Sequence, residues 1–156
     1  MNELEIYIDG ASKGNPGPSG IGVVICRDGE TVENISRFIG TTTNNVAEYT
    51  ALIHALEKAI RLKAQALKIN TDSQLLYKQI CKVYKIKSPN ILELYHQAQT
   101  LMSCFKQVAI REISREKNKG ADKLATRAIN EALKKSRSLK SKQATFDKGY
   151  TVIKSL

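Results

Sequence analysis

Leu4-Glu5-Ile6-Tyr7-Ile8-Asp9 alternates apolar and polar side chains, the period-two pattern of a half-buried strand. Gly14-Asn15-Pro16-Gly17-Pro18 breaks the pattern, and Ile21 to Cys26 reads as a second strand. Asp28-Gly29 is a hairpin turn signal, after which Thr31 to Ile39 reads as a third strand, so the chain opens as an antiparallel meander. Beyond Thr43 the period changes. Asn44 or Asn45 is placed to cap a helix running to about Leu62, because Asn side chains accept readily from the first free backbone N–H groups. Ala66 to Thr71 reads as a strand, and Ser73 caps a helix to about Cys81. Lys82 to Pro89 is a basic connection, Ile91 to Phe105 repeats at helical spacing, Val108 to Ile113 alternates, and Gly120 to Lys134 is helical again. This order, βββαβ(αα)βα, predicts an α/β protein of the mixed α+β kind, one mixed sheet with helices on its faces.

The chain has 156 residues, the length of one domain, and is 42% hydrophobic and 26% charged. That balance excludes a disordered chain, a fibre or a small disulfide scaffold. No apolar run reaches the ~18 residues of a membrane span, and the acidic start Met1-Asn2-Glu3-Leu4-Glu5 is unlike a secretory signal. Cys26, Cys81 and Cys104 form no CxxC pair, so neither a zinc knuckle nor a disulfide set is expected, and a reducing cytoplasm fits. Lys and Arg number 25 against 15 Asp and Glu, for a net charge of +10, which attracts polyanions, nucleic acid first. The excess is concentrated at the end. Lys134, Lys135, Arg137, Lys140, Lys142, Lys148 and Lys154 stand against Asp147 alone, so we divide the chain into a domain over 1–133 and a basic extension over 134–156. The extension has one weak strand-like patch, Tyr150 to Ile153.

Four acids occupy positions where a soluble fold commonly places neutral residues. Asp9 ends the first strand and Asp72 ends the fourth. Glu48 shares a helical stripe with Leu52, Ala55 and Ala59, and Asp122 shares one with Ala125, Ile129 and Leu133. Individually, each has a bland reading as a cap or a partner of the helix dipole. Together, strand ends and helix starts can meet at one edge of an α/β sheet, where ligands bind. Converged carboxylates repel by roughly 4 kcal/mol per close pair at an effective dielectric near 20. Either some stay protonated or cations neutralise them, and an oxygen-rich, histidine-poor set suits magnesium or manganese.

Four motifs carry a resemblance to type I ribonucleases H. They are Ile6-Tyr7-Ile8-Asp9-Gly10-Ala11-Ser12 with Gly14-Asn15-Pro16-Gly17-Pro18, Thr43-Asn44-Asn45-Val46-Ala47-Glu48, Thr71-Asp72-Ser73-Gln74, and Ala121-Asp122-Lys123-Leu124-Ala125. The resemblance implies a five-stranded mixed sheet with helices on both faces and a catalytic domain over 1–133. It implies endonucleolytic hydrolysis of the RNA strand of an RNA–DNA hybrid, giving 5′-phosphate and 3′-hydroxyl ends. Asp9, Glu48, Asp72 and Asp122 become the catalytic carboxylates and the ligands of two Mg2+ ions, with Mn2+ as a substitute. In such a pair, one metal lowers the pKa of the attacking water and the other stabilises the leaving oxygen. The backbone around Gly10, Ala11 and Ser12, with Asn15, Asn44, Asn45 and Gln74, becomes the set that recognises the ribose 2′-hydroxyl.

The chain departs from the family in two places. The loop Ser114-Arg115-Glu116-Lys117-Asn118-Lys119-Gly120 lacks the histidine of many relatives, and the two histidines, His54 and His96, lie inside helices. Arg115 is the chosen auxiliary catalytic residue, with Asn118 and Glu116 as candidates. An arginine stays protonated, so its part would be to hold the phosphate rather than to act as a base. The tryptophan-containing basic protrusion of bacterial relatives is also missing. The basic extension, with Lys82, Lys85 and Lys87, is the expected replacement for its electrostatic grip. A monomer acting on a hybrid, without a membrane partner, is the working expectation. Its competitors are a related nuclease that also cuts duplex RNA and a non-cutting nucleic-acid-binding module.

Overall fold

The computed structural model describes residues 2–147 and Gly149, with the backbone alone given for 143–147. Three antiparallel strands, β1 (Glu3–Ser12), β2 (Gly17–Arg27) and β3 (Glu30–Thr42), are followed by α1 (Asn44–Arg61), β4 (Ala66–Thr71) and α2 (Gln74–Ile80). Then come α3 (Pro89–Met102), β5 (Gln107–Glu112), a single 3-10 turn at Arg115–Lys117, and α4 (Lys119–Asp147). The five strands form one sheet in the order β3-β2-β1-β4-β5, antiparallel on the meander side and parallel from β1 to β5. The sequence-based fold class and element order therefore hold.

Alternation along the strands divides the two faces. Leu4, Ile6 and Ile8 of β1, Ile21, Val23 and Ile25 of β2, and Leu67 and Ile69 of β4 are fully buried. They form one core with Leu52, Ala55, Leu56 and Ala59 of α1 and with Ile91, Tyr95 and Ala98 of α3. The expected stripe of Leu52, Ala55 and Ala59 is thus the sheet-facing side of α1. The opposite face is built for close approach. A Cβ at Gly22 would lie 1.9 Å from the carbonyl oxygen of Ala121, and one at Gly20 would lie 2.6 Å from that of Ala125. These two glycines let the backbone of α4 rest on β2.

Two local expectations change. Thr43, rather than Asn44 or Asn45, caps α1, its Oγ1 accepting from the Val46 N–H at 3.3 Å. The Asn44 N–H is already taken by Asn15 Oδ1, at 3.0 Å. The last helix does not stop near Lys134 but continues to Asp147, so residue 133 marks a change of burial and charge inside α4. The strand-like patch at Tyr150 to Ile153 lies outside the described residues. No helix among the described residues is long and apolar enough to cross a membrane.

Candidate active site

The parallel register of β1 on β4 pairs Ile8 with Thr71, so the next residue of each strand, Asp9 and Asp72, emerges at the same edge. Glu48 reaches that edge because Gly10 lets α1 sit against β1. A Cβ at Gly10 would lie 2.3 Å from both the carbonyl carbon of Ala47 and the backbone nitrogen of Glu48. One carboxylate oxygen each from Asp9, Glu48 and Asp72 then lies within 4.8 Å of the others. Asp9 is paired with Gly22, and Gly22 underlies Ala121, so the start of α4 brings Asp122 to Asp9. Asp122 is exposed at the rim, close enough for its charge to raise the Asp9 carboxyl. The four predicted acids share one cleft, three as its floor and one as its lip.

This cleft has a volume of about 410 Å³ and is lined by Asp9, Gly10, Ala11, Ser12, Asn44, Glu48, Asp72, Arg115 and Asp122. Crowding shows in the acid–base properties. Burial first, then the charges of Asp72 and Asp122, push the Asp9 carboxyl up to about 8. Burial first, then Asp9 and Asp72, push Glu48 up to about 8, against a hydrogen bond from Ser73 and the charge of Arg115, which both lower it. The site is short of positive charge. An all-oxygen carboxylate set of this kind fits a hard divalent cation such as magnesium or manganese, and Asp9, Glu48 and Asp72 are the residues that could hold one.

The other predicted residues divide. Gly10, Ala11, Ser12, Asn44 and Arg115 line the cleft, whereas Asn15, Asn45, Gln74 and Glu116 do not. Asn15 instead braces the start of α1 through Asn44. The Ser12 hydroxyl is turned toward backbone, its one O–H within reach of the carbonyls of Gly14 and of Thr42. Gln74 is an exposed first residue of α2. His54 lies against Arg37, and burial, then Arg37, lower its pKa; its ring nitrogen is 3.5 Å from the guanidinium and does not enter the cleft. His96 is exposed on α3.

Asn118, only a secondary candidate from the sequence, is 1% exposed and ties the site together. Its Nδ2 donates to the Ile8 carbonyl at 2.9 Å and to Asp72 Oδ2 at 3.1 Å. Its own carbonyl accepts from the Asp122 N–H at 3.1 Å. One buried side chain thus bridges β1 to Asp72, and its backbone starts the helix that carries Asp122. The signal available in the sequence was its place four residues before Asp122, which is the spacing of one helical hydrogen bond.

Comparison with known proteins follows the same lines. A family model described as reverse transcriptase-like matches residues 7–128. A bifunctional protein of Mycobacterium tuberculosis is 42% identical over 132 residues, which cover 83% of this chain and 36% of that protein. This chain therefore spans little more than a third of that relative's length. A ribonuclease HI of Halobacterium salinarum is 39% identical over 130 residues, covering 83% of this chain and 65% of the relative. A ribonuclease H1 solved in complex with an RNA/DNA hybrid superposes with a TM-score of 0.79 at 40% identity, covering 83% of this chain and 99% of its own. With the five-stranded order, the acidic cleft and these matches in agreement, the chain belongs to the ribonuclease H family.

Proposed function

We propose that this chain is a metal-dependent endoribonuclease that hydrolyses the RNA strand of an RNA–DNA hybrid, leaving 5′-phosphate and 3′-hydroxyl ends. The observation that carries the reading is the meeting of Asp9, Glu48 and Asp72 oxygens within 4.8 Å in an open cleft. A buried cluster of like charges costs stability unless a ligand repays it. Asp9, Glu48, Asp72 and Asp122 are the proposed ligands of two Mg2+ ions, with Mn2+ as a substitute. Bound there, divalent ions supply an attacking water of lowered pKa and charge for the departing 3′-oxygen.

The chain's own residues do the rest. Asn118 fixes Asp72 against β1 in the orientation the ligand set needs. Arg115 stands at the mouth as a permanent cation, suited to hold the scissile phosphate and unable to act as a base. The backbone of Gly10 to Ser12 and Asn44 form the wall proposed to read the ribose 2′-hydroxyl, with Asn15 bracing Asn44, and with Asn45 and Gln74 as proposed contacts outside the cleft lining. Cys26, Cys81 and Cys104 are free thiols, which supports a reducing, cytoplasmic setting, and the cleft is complete within one chain, which supports a monomeric enzyme.

The test is cleavage of end-labelled substrates in magnesium and then manganese. Uniform RNA–DNA hybrid is expected to be cut, with DNA carrying a single ribonucleotide cut poorly, and Asp9→Asn is expected to abolish both. Preference for duplex RNA would reassign the substrate, and binding of the hybrid without cutting would reduce the protein to a binding module.

A further inference from the structure

We infer that the second half of α4 is a cationic helical arm that grips the phosphate backbone of the nucleic-acid duplex lying in the cleft. The inference takes the identity of the duplex from the proposed function and adds a contact surface to it.

Three observations lead there. First, the arm lies beyond the end of the family match. The family model ends at residue 128, and solved relatives matched along 98–99% of their own length cover only 81–85% of this chain. Second, the arm contributes nothing to the core. Ala121, Leu124, Ala125, Ala128 and Ile129 are buried, but every side chain from Lys134 to Lys142 is exposed. Third, its charge has one sign. Lys134, Lys135, Arg137, Lys140 and Lys142 are followed by no acid before Asp147, and the nearest preceding acid, Glu131, is already paired with Arg127 at 3.8 Å. At about 100° per residue the five cations point around the helix rather than along one stripe, the distribution of a rod that meets phosphates from several directions.

The direction of α4 gives the arm a target. Gly22, opposite Asp9, lies under Ala121, while Gly20, opposite Ala11, lies under Ala125 and Ile129. As the helix advances it therefore moves in the direction in which β1 runs from Asp9 to Ser12, toward the edge that holds the cleft. At ~1.5 Å per residue, Lys134 lies about 18 Å along the axis from Asp122, and the helix continues for about another 20 Å to Asp147. A duplex carries one charge per ~1.7 Å of its axis, so that length matches about a dozen phosphates. Left to itself, such a segment is a poor helix in water. Three serines and the mutual repulsion of five like-charged side chains oppose it, offset only in part by the good helix propensity of Lys and Arg. An anionic partner along its flank removes the repulsion.

The test uses the full chain and a variant of it in which Lys134, Lys135, Arg137, Lys140 and Lys142 are all changed to Gln. Binding to a fluorescent RNA–DNA hybrid is measured in EDTA from 50 to 200 mM salt, with cleavage followed separately in magnesium. If three phosphate contacts are lost, the slope of log affinity against log salt flattens by about 2.7. The affinity ratio between the two proteins then shrinks about 40-fold across that salt range. KM rises while turnover at saturation holds, and Tm is unmoved because the arm lies off the core. Amide exchange of residues 134–142 in the full chain should slow when hybrid is added. A variant with the parent's salt slope and KM overturns the arm. So does a loss of affinity seen only for vesicles of anionic lipid. A parent that binds hybrid with the predicted slope but never cuts it sinks the proposed function and leaves the arm standing.

Discussion

Removing divalent metal should make the stability of this protein fall as pH rises, the reverse of ordinary acid denaturation. The Asp9 and Glu48 carboxyls start from 3.8 and 4.5, and the fold pushes both to about 8, by burial first and neighbouring carboxylates second. Between about pH 4 and 8 the native state keeps protons that the unfolded chain has released, and the unfolding free energy therefore declines with pH. Counting a single retained proton over about four pH units, at ~1.4 kcal/mol each, the loss is on the order of 5 kcal/mol. That is a large part of the ~5–15 kcal/mol available to a domain. The assay is urea unfolding in EDTA at pH 5, 6, 7, 8 and 8.5, repeated in magnesium. Magnesium at about 100 times its dissociation constant should restore ~2.7 kcal/mol by binding only the native state. Asp9→Asn, which keeps the shape and deletes the charge, should be more stable than the parent at pH 8 without metal and should lose stability less steeply with pH, the remaining slope being that of the buried Glu48. Stability that holds level or rises from pH 5 to 8 in EDTA, with parent and Asp9→Asn running parallel, would refute the electrostatic account of the cleft.

Three further outcomes follow from particular contacts. Asn118→Ala removes the donor to both the Ile8 carbonyl and Asp72, at about 1–3 kcal/mol for the buried acceptor left unpaired. It should also lower activity or metal affinity ~10–100-fold through Asp72, read from a magnesium titration of cleavage. Gly10→Ala drives a methyl into the backbone of Ala47 and Glu48, so thermal unfolding should show a loss of about 1–3 kcal/mol, and Glu48 should leave the cluster, weakening magnesium binding by calorimetry. Arg115→Ala should reduce turnover ~100-fold, the scale of one electrostatic donor, with KM moving less and Arg115→Lys recovering part of the loss. Equal rates for all three Arg115 forms would remove it from the reaction.

Periodicity and propensity report different things, and the boundary of α4 shows the difference. The apolar repeat through Ala121, Ala125 and Ile129 ends at Leu133, and a helix read from that repeat ends there too. Yet the chain has no Gly or Pro between Gly120 and Gly149, and α4 runs on to Asp147. The repeat marked where burial stops, and only a breaker marks where a helix stops. The acidic cluster was legible for a similar reason. Asp9 and Asp72 stand at fixed offsets from runs whose pairing is set by hydrophobic alternation, so reading the strands also places them, and Glu48 follows from the apolar stripe that seats α1 on the sheet. Thr43, Asn44 and Asn45 are all competent caps, and the choice among them rests on Asn15, 29 residues from Asn44, occupying the Asn44 N–H. Asn118 was obscured in the same way, because its partners Ile8 and Asp72 lie 110 and 46 residues away along the chain. A residue whose work is a hydrogen bond to a distant segment leaves no period. The residues that position this site are therefore harder to read than those that would bind at it.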